Sequence, residues 1–222
     1  MRAPSPAPKD RALVAAVRAE AKRFFRSARG SHDWDHTARV LRLCLHIGRA
    51  EKADLEILTL AALLHDIGRG EEDRANGKIR HADASARAAR GILARHGVAA
   101  GRIERIVHCI EAHSFRKNLA PDSLEACVLF DADKLDSIGA VGIGRAFLFA
   151  GEVGARLHDK KVDVDKTAPY TKEDTAYREF LVKLRHIKDR MFTAEGKRLA
   201  AGRHDFMVAY FDRLNRETDG DL

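Results

Sequence analysis

Cysteine is scarce in this chain, with 3 in 222 residues. Cys44, Cys109 and Cys127 lie far apart, are odd in number, and each sits in an apolar context of helical spacing. That excludes a disulfide framework and points to free thiols in a reducing compartment. Long hydrophobic runs are also missing. No stretch approaches the roughly 20 residues that a bilayer-spanning helix needs, so no membrane is expected as a partner. Met1 to Lys9 hold no apolar run, which leaves no signal peptide and a cytoplasmic location as the expectation. Nor are the cations massed. Lys and Arg number 40 against 33 Asp and Glu, a formal charge of +7, but they are scattered along the chain. Such an excess is either a solvated surface or an attraction for a polyanion, nucleic acid or a phosphorylated small molecule. It does not indicate a dedicated nucleic-acid tail, and no nucleic-acid partner is expected. Finally, there is no strand alternation, no internal repeat and no linker long enough to divide domains. The expectation is an all-α chain with a disordered tail over residues 1–9, marked by Pro4, Pro6 and Pro8, and one helical domain over 10–222.

What is present is helical periodicity with capping signals. Asp10 precedes a run with Leu13, Val14, Val17, Ala21 and Phe24 at helical spacing. Ser31 or Asp33 starts a second helix carrying Val40, Leu43 and Ile47 on one face. A third runs from about Ala53 to His65. Arg69 to Arg80 is charged, contains Gly70 and Gly77, and reads as a loop. Ala82–His96 and Arg102–His113 are two further helices separated by Gly97 and Gly101. Asp122 is the expected cap of the next helix, with Glu125 reaching back to it. A helix over Val141–Gly151 follows, then an ordered loop or lid over Arg156–Tyr170. Thr171-Lys172-Glu173-Asp174 reads as a helix start leading toward Arg190, and Leu199–Leu214 forms the last helix. Gly139, Gly142 and Gly144 are not a phosphate-binding loop, because no strand precedes them and the G-x-G-x-x-G spacing is not met. They are read as small residues that let a helix pass close to its neighbours.

The run Ile57 to Leu64 is apolar nearly all round and ends abruptly on His65-Asp66. A helix apolar on every face belongs in a core. Ending it on an imidazole and a carboxylate is costly unless they are paired or hold a metal. Two other places share the property. His36 lies on the stripe of Val40, Leu43 and Ile47, and Asp133 on that of Ala126, Leu129 and Phe130. Periodicity alone does not choose between Asp131 and Asp133. If the helices pack as a bundle, two imidazoles and two carboxylates can converge on one divalent ion, and Mn2+, Fe2+, Ni2+, Co2+ and Zn2+ suit that ligand set better than Mg2+.

The segments SHDWDHTARV, LLHDIGR and FDADKLDSIGAVGIGR, in this order, resemble the HD-domain superfamily of metal-dependent phosphohydrolases, and the C-terminal KLRHIKDRMFTAEGKRLAAGRHDFM is similar to its small stand-alone bacterial branch. The resemblance implies a helical bundle of the HD-domain type. It also implies metal ligation by His36, His65, Asp66 and the Asp of the Ala132-Asp133-Lys134-Leu135 pattern, so Asp133, with Asp131 and Asp136 in supporting or capping places. His32, at a helix start, reads as a surface residue or a support behind the ligands, not a ligand. Some superfamily members bind a second ion through extra histidines. His81, His108 and His113 are candidates for that, and His81 and His113 alternatively for substrate binding.

The activity implied is hydrolysis of a phosphoester or phosphoanhydride bond in a small phosphorylated substrate, with a nucleotide favoured. Asp66 binds the ion and orients or deprotonates the attacking water, and Arg69, three residues on, offsets charge on the phosphoryl oxygens. Lys134 and Arg145 are further candidates for phosphate contact, and one of Glu71, Glu72 and Asp73 for proton donor. The Gly-Tyr-Pro segment of the cyclic di-nucleotide subclass is missing. Two alternatives stand beside this reading. One is a di-iron oxygenase, which needs the extra histidines as ligands; the other is a non-catalytic nucleotide- or nucleic-acid-binding module.

Overall fold

The computed structural model describes residues 8–25, 33–75, 78–114 and 119–222. Within them every regular element is helical and no strand occurs, so the chain is all-α as its periodicity requires. It divides into two compact units, Met1–Ala132 and Asp133–Leu222.

In the first unit, α1 (Pro8–Lys22) begins two residues inside the segment expected to be a tail. Proline at a first helical position lacks only a donor that the helix does not use, and its φ is already helical. Residues 1–7 and His32 lie outside the described residues. Helix α2 (Trp34–Glu51) is capped by Asp33, whose Oδ1 accepts from Asp35 N at 3.0 Å and His36 N at 3.1 Å. Helix α3 (Leu55–Leu64) is capped by Asp54 in the same way. Its all-round apolarity has a direct cause: α1, α2, α5 (His81–Arg95) and α6 (Ala100–Ala112) all pack against it. Arg69–Arg74, read as loop, forms the short helix α4 against α5. Helix α7 (Leu124–Leu135) is capped by Ser123, whose Oγ accepts from Ala126 N at 3.2 Å, and not by Asp122. Asp122 instead meets His108 at 2.6 Å. Glu125 does not reach back to its own helix start, because its Oε1 accepts from Asp54 N at 2.9 Å and so ties α7 to the start of α3.

None of the three cysteines is in a disulfide. Burial pushes Cys109 up to about 12, and Cys44 is fully buried. Iodoacetamide at pH 8 is expected to alkylate Cys127 alone in the native protein, slowly, and all three after unfolding, as read by mass spectrometry. Fast native modification of Cys109 would contradict this packing.

In the second unit, α8 (Gly139–Glu152) and α10 (Ala194–Asp219) pack together, with α9 (Ala176–Val182) and a 3-10 segment (Leu184–Arg190) against them. Phe180 stacks on Phe211 at 4.6 Å. Gly139, at φ 76°, would place a Cβ 2.9 Å from Arg203 Cγ, and Gly142 one 2.3 Å from Ser137 O. Close passage therefore explains these two glycines but not Gly144, which has nothing within 4 Å.

The helix expected from Thr171 starts instead at Ala176, capped by Thr175, whose Oγ1 accepts from Arg178 N at 3.1 Å. Asp174 is diverted from capping. Its Oδ1 accepts from Arg178 Nη1 at 2.9 Å and its Oδ2 from Tyr170 N at 2.7 Å. Arg178 also donates to Thr167 Oγ1 at 2.7 Å and Thr167 O at 2.8 Å. One buried guanidinium thus fixes the end of the Arg156–Tyr170 segment. Arg178→Ala leaves Asp174 buried without its cation. It is expected to cost about 3–5 kcal/mol in urea unfolding, and a loss under 1 kcal/mol would contradict that role.

Candidate metal centre

Four imidazoles meet around one carboxylate inside the first unit. Asp33 fixes the start of α2 and thereby the backbone of His36, whose Nε2 stands 3.6 Å from Asp66 Oδ2. At the end of α3, His65 Nδ1 donates to Ala62 O at 2.8 Å. A carbonyl oxygen only accepts, so the proton sits on Nδ1 and Nε2 offers a lone pair. That Nε2 is 3.8 Å from Asp66 Oδ2 and 3.3 Å from His36 Nε2. On the other side of Asp66, Oδ1 is 3.6 Å from His81 Nε2 at the start of α5 and 3.7 Å from His113 Nε2 at the end of α6. Those two nitrogens are 3.3 Å apart. His113 Nδ1 donates to Ile110 O at 2.5 Å, and His81 Nδ1 donates to Glu72 Oε2 at 3.0 Å. The result is two groups of ligand atoms, His36–His65–Asp66 and Asp66–His81–His113, each within 4.8 Å and sharing Asp66. All five residues are at most 4% exposed.

The turn that carries Asp66 explains the alignment. Gly68 N donates to Ser85 Oγ at 2.9 Å, and a Cβ on Gly68 would fall 2.5 Å from both His81 O and Ser85 N. Only glycine lets the His-Asp turn press against the first turn of α5.

These residues fit a divalent cation. Among the described residues no hydrogen bond reaches Asp66 Oδ1, a buried oxygen. A buried acceptor without a partner costs about 1–3 kcal/mol, which a cation would offset. Ligands about 2.1 Å from one ion stand roughly 3–3.5 Å apart, close to the imidazole pairs seen here. Burial works against ionisation of Asp66, but the Arg69 guanidinium foremost outweighs it, and the carboxyl is held well below the usual range. Burial pushes the His81 imidazolium down despite the opposing pull of Glu72, which keeps the ring neutral and able to ligate.

Arg69 Nε donates to Asp66 Oδ2 at 3.0 Å and its Nη1 to Glu72 Oε2 at 3.4 Å. Of the three acidic candidates after it, Glu71 pairs outward with Arg87 and Asp73 is exposed, while Glu72 is buried at the site. Helical spacing singles out Glu72, three residues after Arg69 on the same face. Reading the segment as a loop hid that signal. Asp131 is buried in α7 and belongs to neither group of ligand atoms. Asp133 opens the second unit, buried, with Lys134 Nζ at 2.6 Å. Arg145 Nη1 donates to Asp136 Oδ2 at 3.0 Å and to Asp136 O at 3.2 Å.

The HD domain model matches residues 33–138, which contain every member of both groups. YpgQ of Bacillus subtilis (strain 168) is 38% identical over 193 residues, 85% of each chain. The crystal structure of Bacillus subtilis YpgQ in complex with ADP matches with 31% identity and a TM-score of 0.72, over 94% of this chain and 96% of that one. A protein from an uncultured Thermotogales bacterium, described as a predicted HD superfamily hydrolase, matches with 27% identity and a TM-score of 0.63, over 93% and 91%. With the His-Asp doublet at the centre of the site and likeness along most of its length, the chain belongs to the HD-domain superfamily, as a hydrolase-type member.

Proposed function

We propose that the chain is a divalent-cation-dependent phosphohydrolase that cleaves a phosphoester or phosphoanhydride bond of a nucleotide or similar small phosphorylated molecule. The observation that carries this reading is Asp66, a buried carboxylate with an imidazole pair facing each oxygen. By the family pattern, Asp133 is a further ligand. A bound cation would supply Lewis acidity toward a phosphoryl oxygen and lower the pKa of water. The chain's own groups do the rest. Asp66, held ionised, can only accept, so it orients ligand and water but donates no proton. Arg69 brings positive charge beside it, where developing negative charge on phosphorus-bound oxygens needs an offset. Arg69, Lys134 and Arg145 are each engaged by a carboxylate, but Arg69 is bonded to Asp66 itself, so phosphate contact is assigned first to Arg69. The ADP bound to YpgQ supports a nucleotide as the substrate class.

The test is a screen of nucleotides and phosphorylated metabolites with Mn2+, Ni2+, Co2+ and Zn2+, products identified. Hydrolysis that a chelator abolishes is expected. Tight, salt-dependent ligand binding with no turnover under any cation would leave only the binding-module alternative. Arg69→Ala is expected to lower kcat by about 10²–10³ while Mn2+ affinity falls less; equal loss of both contradicts the role.

One observation favours a second reading. His81 and His113 lie at Asp66, as a di-iron oxygenase would need. Two irons per chain together with oxygen consumption would select it.

A further inference from the structure

We propose that Glu72 is a positioning residue, whose carboxylate locks the His81 ring with Nε2 presented to Asp66 Oδ1, so completing with His113 a second cation group distinct from His36–His65. The cation part rests on the reading above; the hold on His81 does not.

The need for Glu72 follows from where each histidine sits. His65 and His113 are at helix C-terminal ends, and each donates Nδ1–H to the carbonyl three residues earlier, Ala62 O and Ile110 O. His81 is the first residue of α5. No helical turn precedes it, so no such carbonyl exists, and its Nδ1 proton needs an acceptor from elsewhere. Glu72, nine residues earlier on α4, supplies one at 3.0 Å. The two anchors differ in kind. A carbonyl is neutral, whereas a carboxylate behind an imidazole also raises the basicity of the opposite nitrogen. Glu72 is buried, and a buried carboxylate is costly unless it is paired and hydrogen-bonded. Arg69 compensates by spanning Asp66 Oδ2 and Glu72 Oε2, which also keeps the two carboxylates from repelling each other across the site. Backbone and ring are therefore aligned separately. Gly68 and Ser85 set the first turn of α5 against the Asp66 turn, and Glu72 sets the ring within it.

Two measurements on the full chain decide this. Long-range 15N–1H NMR of the metal-free protein at pH 8 is expected to show His81 with its proton on Nδ1. In Glu72→Ala that preference disappears, and Glu72→Gln, which keeps an acceptor oxygen, retains it in part. Calorimetric titration with Mn2+ alone is expected to show two binding events. Glu72→Ala weakens about 10- to 100-fold the event that His113→Ala removes, and leaves unchanged the event that His36→Ala removes. If Glu72→Ala does not fold, Glu72→Gln is read by the same two measurements, with smaller changes of the same sign. An unmoved His81 tautomer with normal Mn2+ binding in both variants overturns the proposal. A wild-type protein that binds no Mn2+ overturns the second cation group together with the cation reading, while the tautomer still decides the hold of Glu72 on His81.

Discussion

Asp66→Ala is expected to abolish cation-dependent hydrolysis and to erase both cation-binding events at once, with the far-UV circular dichroism of the helices largely intact. Among the described residues, Asp66 is the member that both groups of ligand atoms share. His36 and His65 stand 3.6 and 3.8 Å from Oδ2, and His81 and His113 3.6 and 3.7 Å from Oδ1, so each histidine variant is expected to spare one group while Asp66→Ala spares neither. The loss should exceed about a hundredfold in Mn2+ affinity, the upper end of what removal of an outer partner causes. Stability has a separate signature. In the folded metal-free protein Asp66 is held below its ordinary value, so it contributes stability that is present above the unfolded carboxyl value of about 3.9 and is lost as pH falls through the folded value. The gap in melting temperature between wild type and Asp66→Ala should therefore be largest near neutrality and shrink on acidification below pH 4. Global unfolding of Asp66→Ala at pH 7 would assign the doublet to structure instead.

Sequence periodicity carried far where a helix has one environment along its length. An apolar run ending on His65-Asp66 reveals a buried site without any fold. The inward stripe of α2 places His36 in the core, where it is found. Legibility failed where the deciding partner is distant in sequence. Glu125 looked like a local cap because the Asp54 N–H that it serves lies 71 residues away. Thr171 looked like a helix start because nothing local shows that Arg178 takes Asp174. Glu72 was hidden by two glycines and a dense charge run around a helix of only six residues. His81 and His113 were visible as candidates, but their convergence on the far oxygen of Asp66 depends on how α5 and α6 pack beside α3.

Gly68 tests whether that convergence is built into the backbone. Gly68→Ala is expected to destabilise the protein by about 1–3 kcal/mol or more, because the added Cβ meets His81 O and Ser85 N at 2.5 Å and Ala84 Cβ at 2.7 Å. Two of these are main-chain atoms of α5, which yield only if the whole first turn moves. That movement would stretch the Gly68 N to Ser85 Oγ bond and carry His81 away from Asp66. The variant should thus lose affinity in the Mn2+ event assigned to His81 and His113 more than in the one assigned to His36 and His65. Gly91→Ala is the matched control on the same helix. Its nearest neighbour is the flexible end of Arg95 at 3.4 Å, so it should gain up to about 1 kcal/mol from helix propensity. Urea midpoints and calorimetry read both variants. If Gly68→Ala matched wild type in stability and still bound both ions, the close approach of the His-Asp turn to α5 would not be what holds the second group together.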